Sequence, residues 1–301
     1  MKPLENITID MAFKRSVEKF PDNEAIVYCD TRLTYRELDK LIDDFALKFI
    51  NLGIKHGSHV GIWCESEPNL VISMMAVERI GAVAVLINTS LKTKEVYSIL
   101  DDTRVDFLLV GDGYKDADFK EIVKTYEFGI SRLKNIIYIG QDTECSLTSI
   151  YGIRAADNHY LNDFRDKVDP QDIGFILFTS GTTSKPRAVL GSQYSRVNSG
   201  LQQADDLAAS DSDRFLVAMP MFHCFCLTVN VMAALFSGAC LCIPPSRHTN
   251  DILSTIDAEK CTVLSCVPAL YKAIINKDNL SDFDLSSLRI GFIGGSSYPK
   301  D

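Results

Sequence analysis

The chain has 301 residues, 46% hydrophobic and 24% charged, enough apolar side chain for one large domain or two ordinary ones. A formal net charge of −9 argues against nucleic acid or an anionic membrane surface as the main partner, so any anion must be held by a local cluster of donors. Nine cysteines, an odd number, and an N-terminus without signal-peptide character are read as a reducing, cytoplasmic setting.

In chain order, Thr34 to Leu52 has helical spacing (Leu38, Leu41, Ile42, Phe45, Phe49), with Thr34-x-x-Glu37 as a capping box and Gly53 as a stop. Val60–Cys64, Ala82–Ile87 and Val105–Val110 are predicted as short buried strands, separated by helices near 69–80 and 92–101. The polar stretch 142–172 has no firm periodicity and is taken as an excursion or linker. Ile173–Phe178 carries the β-branched and aromatic bias of a buried strand. Beyond it the spacing predicts a helix near 195–207, a strand over 214–218, a helix near 227–236 and a strand over 239–243. A helix over 251–259, a strand over 262–266, a helix over 269–276 and a strand over 288–293 follow. Buried strands joined by helices imply parallel sheets in an α/β fold, and about ten strands suit two α/β lobes better than one open sheet.

Cys29, Cys64, Cys240, Cys242, Cys261 and Cys266 sit in strand-like stretches, where cysteine behaves as a small hydrophobe. The C-x-C pairs Cys224/Cys226 and Cys240/Cys242 lack a matched second pair at zinc spacing, which favours core packing over a metal site. The longest apolar stretch, Leu227 to Pro245, is interrupted by Asn230 and Ser237-Gly238 and reads as a buried helix and strand, not as a membrane span.

The stretch Phe178 to Val189, F-T-S-G-T-T-S-K-P-R-A-V, is the most informative. Its hydroxyls, Gly181, Lys185 and Arg187 form a strand-to-strand loop able to surround a polyphosphate with N–H and O–H donors and two cations. The G-x-x-x-x-G-K-[ST] and G-x-G-x-x-G patterns are both absent. On residues alone, a phosphate cradle and a polar turn with satisfied hydroxyls both stay open.

This stretch resembles the phosphate-loop signature T-S-G-T-T-G-x-P-K-G-V of the adenylate-forming superfamily, which includes acyl-CoA synthetases, aryl-CoA ligases and luciferases. Four further segments are similar in order: Leu33–Leu38 (L-T-Y-R-E-L), Ile87–Leu91 (I-N-T-S-L), Met219–His223 (M-P-M-F-H) and Leu288–Ser296 (L-R-I-G-F-I-G-G-S). The resemblance implies two packed parallel-sheet subdomains, layered αβαβα, of a large N-terminal domain truncated before its β-barrel and C-terminal domain. Subdomain one would cover approximately 56–195, and subdomain two 10–55 plus 196–301.

It also implies an activity: ATP-dependent ligation of a medium- or long-chain fatty acid or an aryl acid to CoA through an acyl-adenylate. ATP, CoA and a small carboxylic acid would be the partners. The Mg²⁺ ligand, the adenine-stacking motif and the mobile lysine lie beyond Asp301 in the resembled pattern, so this chain alone is expected not to turn over. Oligomeric state is not fixed by any of these features. Thr179, Ser180, Gly181, Thr182, Thr183, Ser184, Lys185 and Arg187 would hold the phosphates, with Arg187 in place of the usual lysine. His223 would line the approach between nucleotide and acyl sites, and with Arg187 it is the catalytic candidate within the chain. Phe222, Val267, Pro268, Gly294, Gly295 and Ser296 would line the acyl side, with Met221 and Leu270 as further wall or plain core. Amino-acid-activating relatives have Asp where His223 stands, which disfavours an amino-acid substrate. Ser184 and Ala188 replace glycines. Where either position needs φ > 0, the loop shifts at a cost on the order of 1 kcal/mol, and a non-catalytic nucleotide- or acyl-binding protein becomes the alternative.

Overall fold

Apolar runs of four or five residues become interior strands, and the charged, periodic segments between them become helices. The computed structural model describes residues 3–125, 132–140, 146–179 and 186–297. It opens with helix α1 (Ile9–Lys19) and a hairpin of β1 (Glu24–Tyr28) and β2 (Thr31–Thr34), none of which spacing predicts. Cys29 lies in the hairpin turn, exposed and at φ +49°, so its reading as a buried strand residue is corrected: the chain reverses there.

Helix α2 (Tyr35–Asn51) starts on the predicted capping box. The Thr34 N–H donates to Glu37 Oε2 at 2.9 Å, and the Glu37 N–H donates to Thr34 Oγ1 at 3.2 Å. Gly53 at φ +86° ends it, a conformation that favours glycine. The alternation then runs β3 (His59–Trp63), α3 (Pro68–Arg79), β4 (Val83–Leu86), α4 (Thr93–Asp102) and β5 (Phe107–Val110), close to the predicted bounds. Every residue of α3 is buried, with Pro68 at its start where no N–H is needed.

A small ribbon of β6 (Gly113–Tyr114) and β7 (Ala117–Asp118) leads to α5 (Phe119–Thr125), β8 (Asn135–Tyr138) and α6 (His159–Arg165). Next come β9 (Ile173–Thr179), β10 (Arg187–Ser192), α7 (Gln193–Asp206) and β11 (Arg214–Leu216). A π-helical segment, Cys226–Met232, runs into α8 (Ala233–Ser237), and then β12 (Cys240–Ile243), α9 (Thr249–Glu259), β13 (Val263–Leu264) and α10 (Pro268–Ile275) follow.

The strands form two mixed sheets with parallel interiors. One has the order β10-β9-β4-β3-β5-β8 and is parallel except for β10, which pairs antiparallel with β9. The other has the order β13-β11-β12-β1-β2 and is parallel except for the β1–β2 hairpin. Strands β4, β5 and β12 are buried throughout, which is why they read as unbroken apolar runs.

The chain divides into two compact units. Unit 1 comprises Met1–Leu4, Ala12–Asp39 and Arg196–Asp301, and unit 2 comprises Glu5–Met11 and Lys40–Ser195. Residues 40–55, which the resemblance groups with 196–301, fall in unit 2. Asp43 of α2 there pairs with buried Arg79 and, at 2.7 Å, with Arg165, and Phe45 meets the Tyr151 ring edge-on. The segment read as a linker is likewise part of unit 2. Tyr138 bridges Ser149, the Ala156 N–H donates to Leu47 O, and Arg165 pairs with Asp10 at 3.2 Å. Its order comes from polar contacts across long sequence separations, which leave no periodicity behind.

The predicted strand over 288–293 is corrected to two isolated parallel bridges, Val263–Ile290 and Cys266–Ile293. A regular ladder fails because the Phe292 N–H goes to Ser265 Oγ at 3.0 Å and the Tyr271 hydroxyl takes Leu264 O.

Candidate active site

The phosphate-loop candidate is carried by the β9–β10 hairpin. Its register pairs Arg187 with Thr179, Ala188 with Phe178, and continues to Ser192 with Ile173. Thr179 and Arg187 therefore stand opposite one another at the mouth of the connection, both exposed. Ser180, Gly181, Thr182, Thr183, Ser184 and Lys185 lie outside the described residues.

Ala188 sits within the ladder and is absent from the residues with positive φ, so a side chain there carries no left-handed strain. Its departure from glycine is thus accommodated by extended backbone. Beside the hairpin a cleft of about 290 Å³ is lined by Lys94, Glu95, Ser98, Ile99 and Asp102 of α4 and by Phe178, Pro186 and Ala188. One lysine and two carboxylates share this lining, so the cleft carries no excess of positive charge for an anion.

The acyl-side candidates lie in unit 1, toward the carboxyl ends of β11 and β13. Ligands in open α/β sheets bind outside that edge. His223 is exposed; its N–H donates to Pro220 O at 3.1 Å and its carbonyl accepts from Leu227 N–H at 3.0 Å, so it sits in the turn that launches the helix through Cys226–Met232. Its Nδ1 is 3.9 Å from the exposed Cys224 sulfur. That contact pushes the imidazole up against a smaller opposing effect of burial, and pulls the Cys224 thiol down. Cys224 was read only as half of a C-x-C pair. Its partner Cys226 is fully buried, so the two thiols do not share a site.

Val267 precedes Pro268, the first residue of α10. The Gly294 N–H donates to Cys266 O at 3.4 Å, which brings the glycine pair alongside Val267. A Cβ on Gly294 would lie 3.4 Å from the Phe225 ring, and Gly295 holds φ +84° with a virtual Cβ 3.2 Å from Val267 Cγ1. Val267, Phe225, Gly294 and Gly295 therefore form one wall, with Ser296 exposed beyond it. Phe222 and Pro268 are half-buried. Met221 is fully buried and Leu270 packs on the apolar cluster of this unit, so both are core.

Among the described residues no group of three or more His, Cys, Asp or Glu side chains could hold a metal ion. The C-x-C reading of Cys240 and Cys242 resolves to core: hydrogen bonding to Cys242 and burial push the Cys240 and Cys261 thiols up, and every described cysteine is free. No helix among the described residues is long and apolar enough to cross a membrane.

Two compact units, each built on a mixed sheet with a largely parallel interior, define the class as α/β. The chain belongs to the AMP-binding enzyme family, whose model matches residues 13–301. Among curated relatives, YngI of Bacillus subtilis strain 168, which carries an acyl-CoA synthetase name, is 28% identical and aligns with 100% of this chain and 58% of its own length. The medium-chain acyl-CoA ligase ACSF2 of Danio rerio, mitochondrial, is 26% identical, with 99% of this chain and 53% of the relative covered. The chain thus spans a little over half the length of these relatives. Among solved structures, the anthranilate CoA ligase AuaEII in complex with anthranoyl-AMP shares the fold at a TM-score of 0.84 and 24% identity, over 97% of this chain and 55% of that one.

Proposed function

We propose that these residues are the N-terminal part of an AMP-forming carboxylate–CoA ligase acting in the cytoplasm on a fatty (medium- or long-chain) or aryl acid. The carboxylate oxygen attacks the α-phosphorus of ATP, the bond to the β-phosphate oxygen breaks, and pyrophosphate leaves. CoA thiol then takes the acyl group and AMP departs. The observation that carries this reading is the antiparallel pairing of Thr179 with Arg187 across the mouth of the loop. It directs a hydroxyl and a guanidinium to the same opening, where a departing pyrophosphate needs pre-oriented donors. Arg187 can hold two phosphate oxygens through its planar fork. Ser180–Lys185 would complete the cradle.

His223, Phe222, Val267, Pro268, Gly294, Gly295 and Ser296 would receive the acid. Their mix of apolar side chains and bare backbone suits an uncharged acyl or aryl group. His223 at this position supplies no carboxylate for a substrate ammonium. The pseudoenzyme alternative rested on Ser184 and Ala188, and extended backbone at Ala188 removes half of its support. The whole activity requires more protein than these 301 residues, so the isolated chain is expected not to catalyse turnover.

The test is ATP–pyrophosphate exchange by the polypeptide that carries this chain, over a panel of hexanoate, dodecanoate, benzoate, anthranilate and phenylalanine. Exchange with the fatty or aryl acids and not with phenylalanine is expected. Exchange driven by phenylalanine alone, or by none of the five, overturns the reading.

A further inference from the structure

The segment Leu288–Ser296 ends in the glycine wall and is joined to 262–266 by a parallel, interrupted set of backbone hydrogen bonds: the Leu264 N–H donates to Ile290 O at 3.1 Å, Cys266 N–H to Phe292 O at 3.0 Å and Gly294 N–H to Cys266 O at 3.4 Å, while the Phe292 N–H turns to Ser265 Oγ. Its opposite end is held by side chains. Arg289 Nε donates to Asp213 Oδ1 at 2.7 Å and Nη2 donates to Asp213 Oδ2 at 2.6 Å, a two-pronged ion pair. The same guanidinium donates to Leu207 O and Ala208 O, each at 3.1 Å, at the end of α7.

Asp213 is 3% exposed and also accepts the Thr262 hydroxyl at 2.6 Å and the Ser210 N–H at 2.9 Å. Burial pushes its carboxyl up, but Arg289, Thr262 and Ser210 together hold it below the usual range. The Arg289 N–H donates to Thr262 O at 2.9 Å, so side chain and backbone of Arg289 fix the same point next to β13.

We infer that Asp213 and Arg289 are positioning residues for the acyl site: their fork anchors the start of the 288–296 segment and, together with the interrupted backbone bonds to 262–266, locks its register and so the placement of Gly294 and Gly295. The inference rests on the reading of those glycines as substrate wall. Between Arg289 and Gly294 an extended chain covers roughly 16 Å, and a slip of one residue moves every side chain to the other face. A second feature matches only this register. A Cβ at Gly291 would lie 1.7 Å from Leu264 O, so the glycine must sit opposite that carbonyl. A slipped register would put Ile290 or Phe292 there instead.

The experiment compares Arg289→Gln, Arg289→Lys and Asp213→Asn in the polypeptide that carries this chain. Lysine keeps the charge but cannot make the two-pronged contact, and serves where the glutamine variant fails to fold. Pyrophosphate exchange should show KM for the acid raised tenfold or more in Arg289→Gln, partly restored in Arg289→Lys, with KM for ATP within twofold of the parent. Amide hydrogen exchange at Phe292 and Gly294 should accelerate at least tenfold while Val217, deep in the sheet, is unchanged. Equal rises in both KM values, or acceleration at Val217 matching that at Gly294, mean a general structural role and overturn the inference. Absence of exchange activity in the parent counts against the ligase reading instead. The amide measurement still decides the clamp, because unaltered protection at Phe292 and Gly294 in Arg289→Gln sinks it.

Discussion

Two segments with candidate residues, the β9–β10 hairpin of unit 2 and Leu288–Ser296 of unit 1, are anchored differently. The β9–β10 hairpin grows out of a backbone ladder running from Thr179–Arg187 to Ile173–Ser192. The Leu288–Ser296 segment has a ladder interrupted at Phe292, whose N–H goes to Ser265 Oγ, and is further pinned by the Arg289–Asp213 fork and by a glycine that fits under a carbonyl. The first should tolerate side-chain replacement and the second should not. Mutations separate the two.

The largest effect is expected at Gly291. With Leu264 O 1.7 Å from a virtual Cβ, Gly291→Ala must displace backbone, at a cost of about 3 kcal/mol or more by urea unfolding. A loss below about 1 kcal/mol would mean that the segment does not lie against β13 and would break the contrast.

The two units should also answer pH with opposite sign. Glu67, at the start of α3, is half-buried near Glu65 and Asp112 with the Cys64 thiol donating to it at 2.9 Å, and desolvation raises it to about 7 from 4.5. A carboxyl raised on folding binds its proton more tightly in the native state. It contributes stability below about pH 4.5 that is lost as pH rises to about 7. About 2 kcal/mol should disappear over that window, allowing for incomplete burial, and Glu67→Gln should flatten that part of the stability profile. Asp213 is shifted the other way, so its contribution is present above the ordinary aspartate range and is lost as acid protonates it. A Glu67→Gln profile identical to the parent would remove this distinction.

Smaller changes belong to the hairpin. Ala188→Gly should cost about 0.5–1 kcal/mol through backbone entropy, without raising phosphate affinity. A tighter-binding Ala188→Gly variant would revive strain at this position. Val189→Thr, on an exposed edge-strand residue, should shift stability by no more than about 0.5 kcal/mol in thermal unfolding.

What the sequence made legible follows from the range of the forces involved. Strands β3, β4 and β5 and helix α3 announce themselves because burial on every face demands continuous apolar residues. The Thr34–Glu37 box is legible because its hydrogen bonds span three residues. Helix α1 and the β1–β2 hairpin escaped notice: the helix is short and strongly charged, and the hairpin turn is Cys-Asp instead of a glycine pair. The candidate segments are visible as motifs, and their anchoring is not. Asp213 and Arg289 are 76 residues apart, and no local pattern records which carboxylate a guanidinium will find. The Leu288–Ile293 run has the composition of a strand, but composition cannot show that Ser265 Oγ and the Tyr271 hydroxyl interrupt the ladder.

The central claim, that the mouth of the hairpin holds polyphosphate, is tested most directly by calorimetric titration of ATP and of pyrophosphate into this chain and into its Arg187→Gln and Thr179→Val variants. Both ligands should bind the parent chain, with affinity falling about tenfold or more for Arg187→Gln, in line with loss of a charge-assisted hydrogen bond, and less for Thr179→Val. Equal affinity in all three chains, or no binding to any of them, would contradict it.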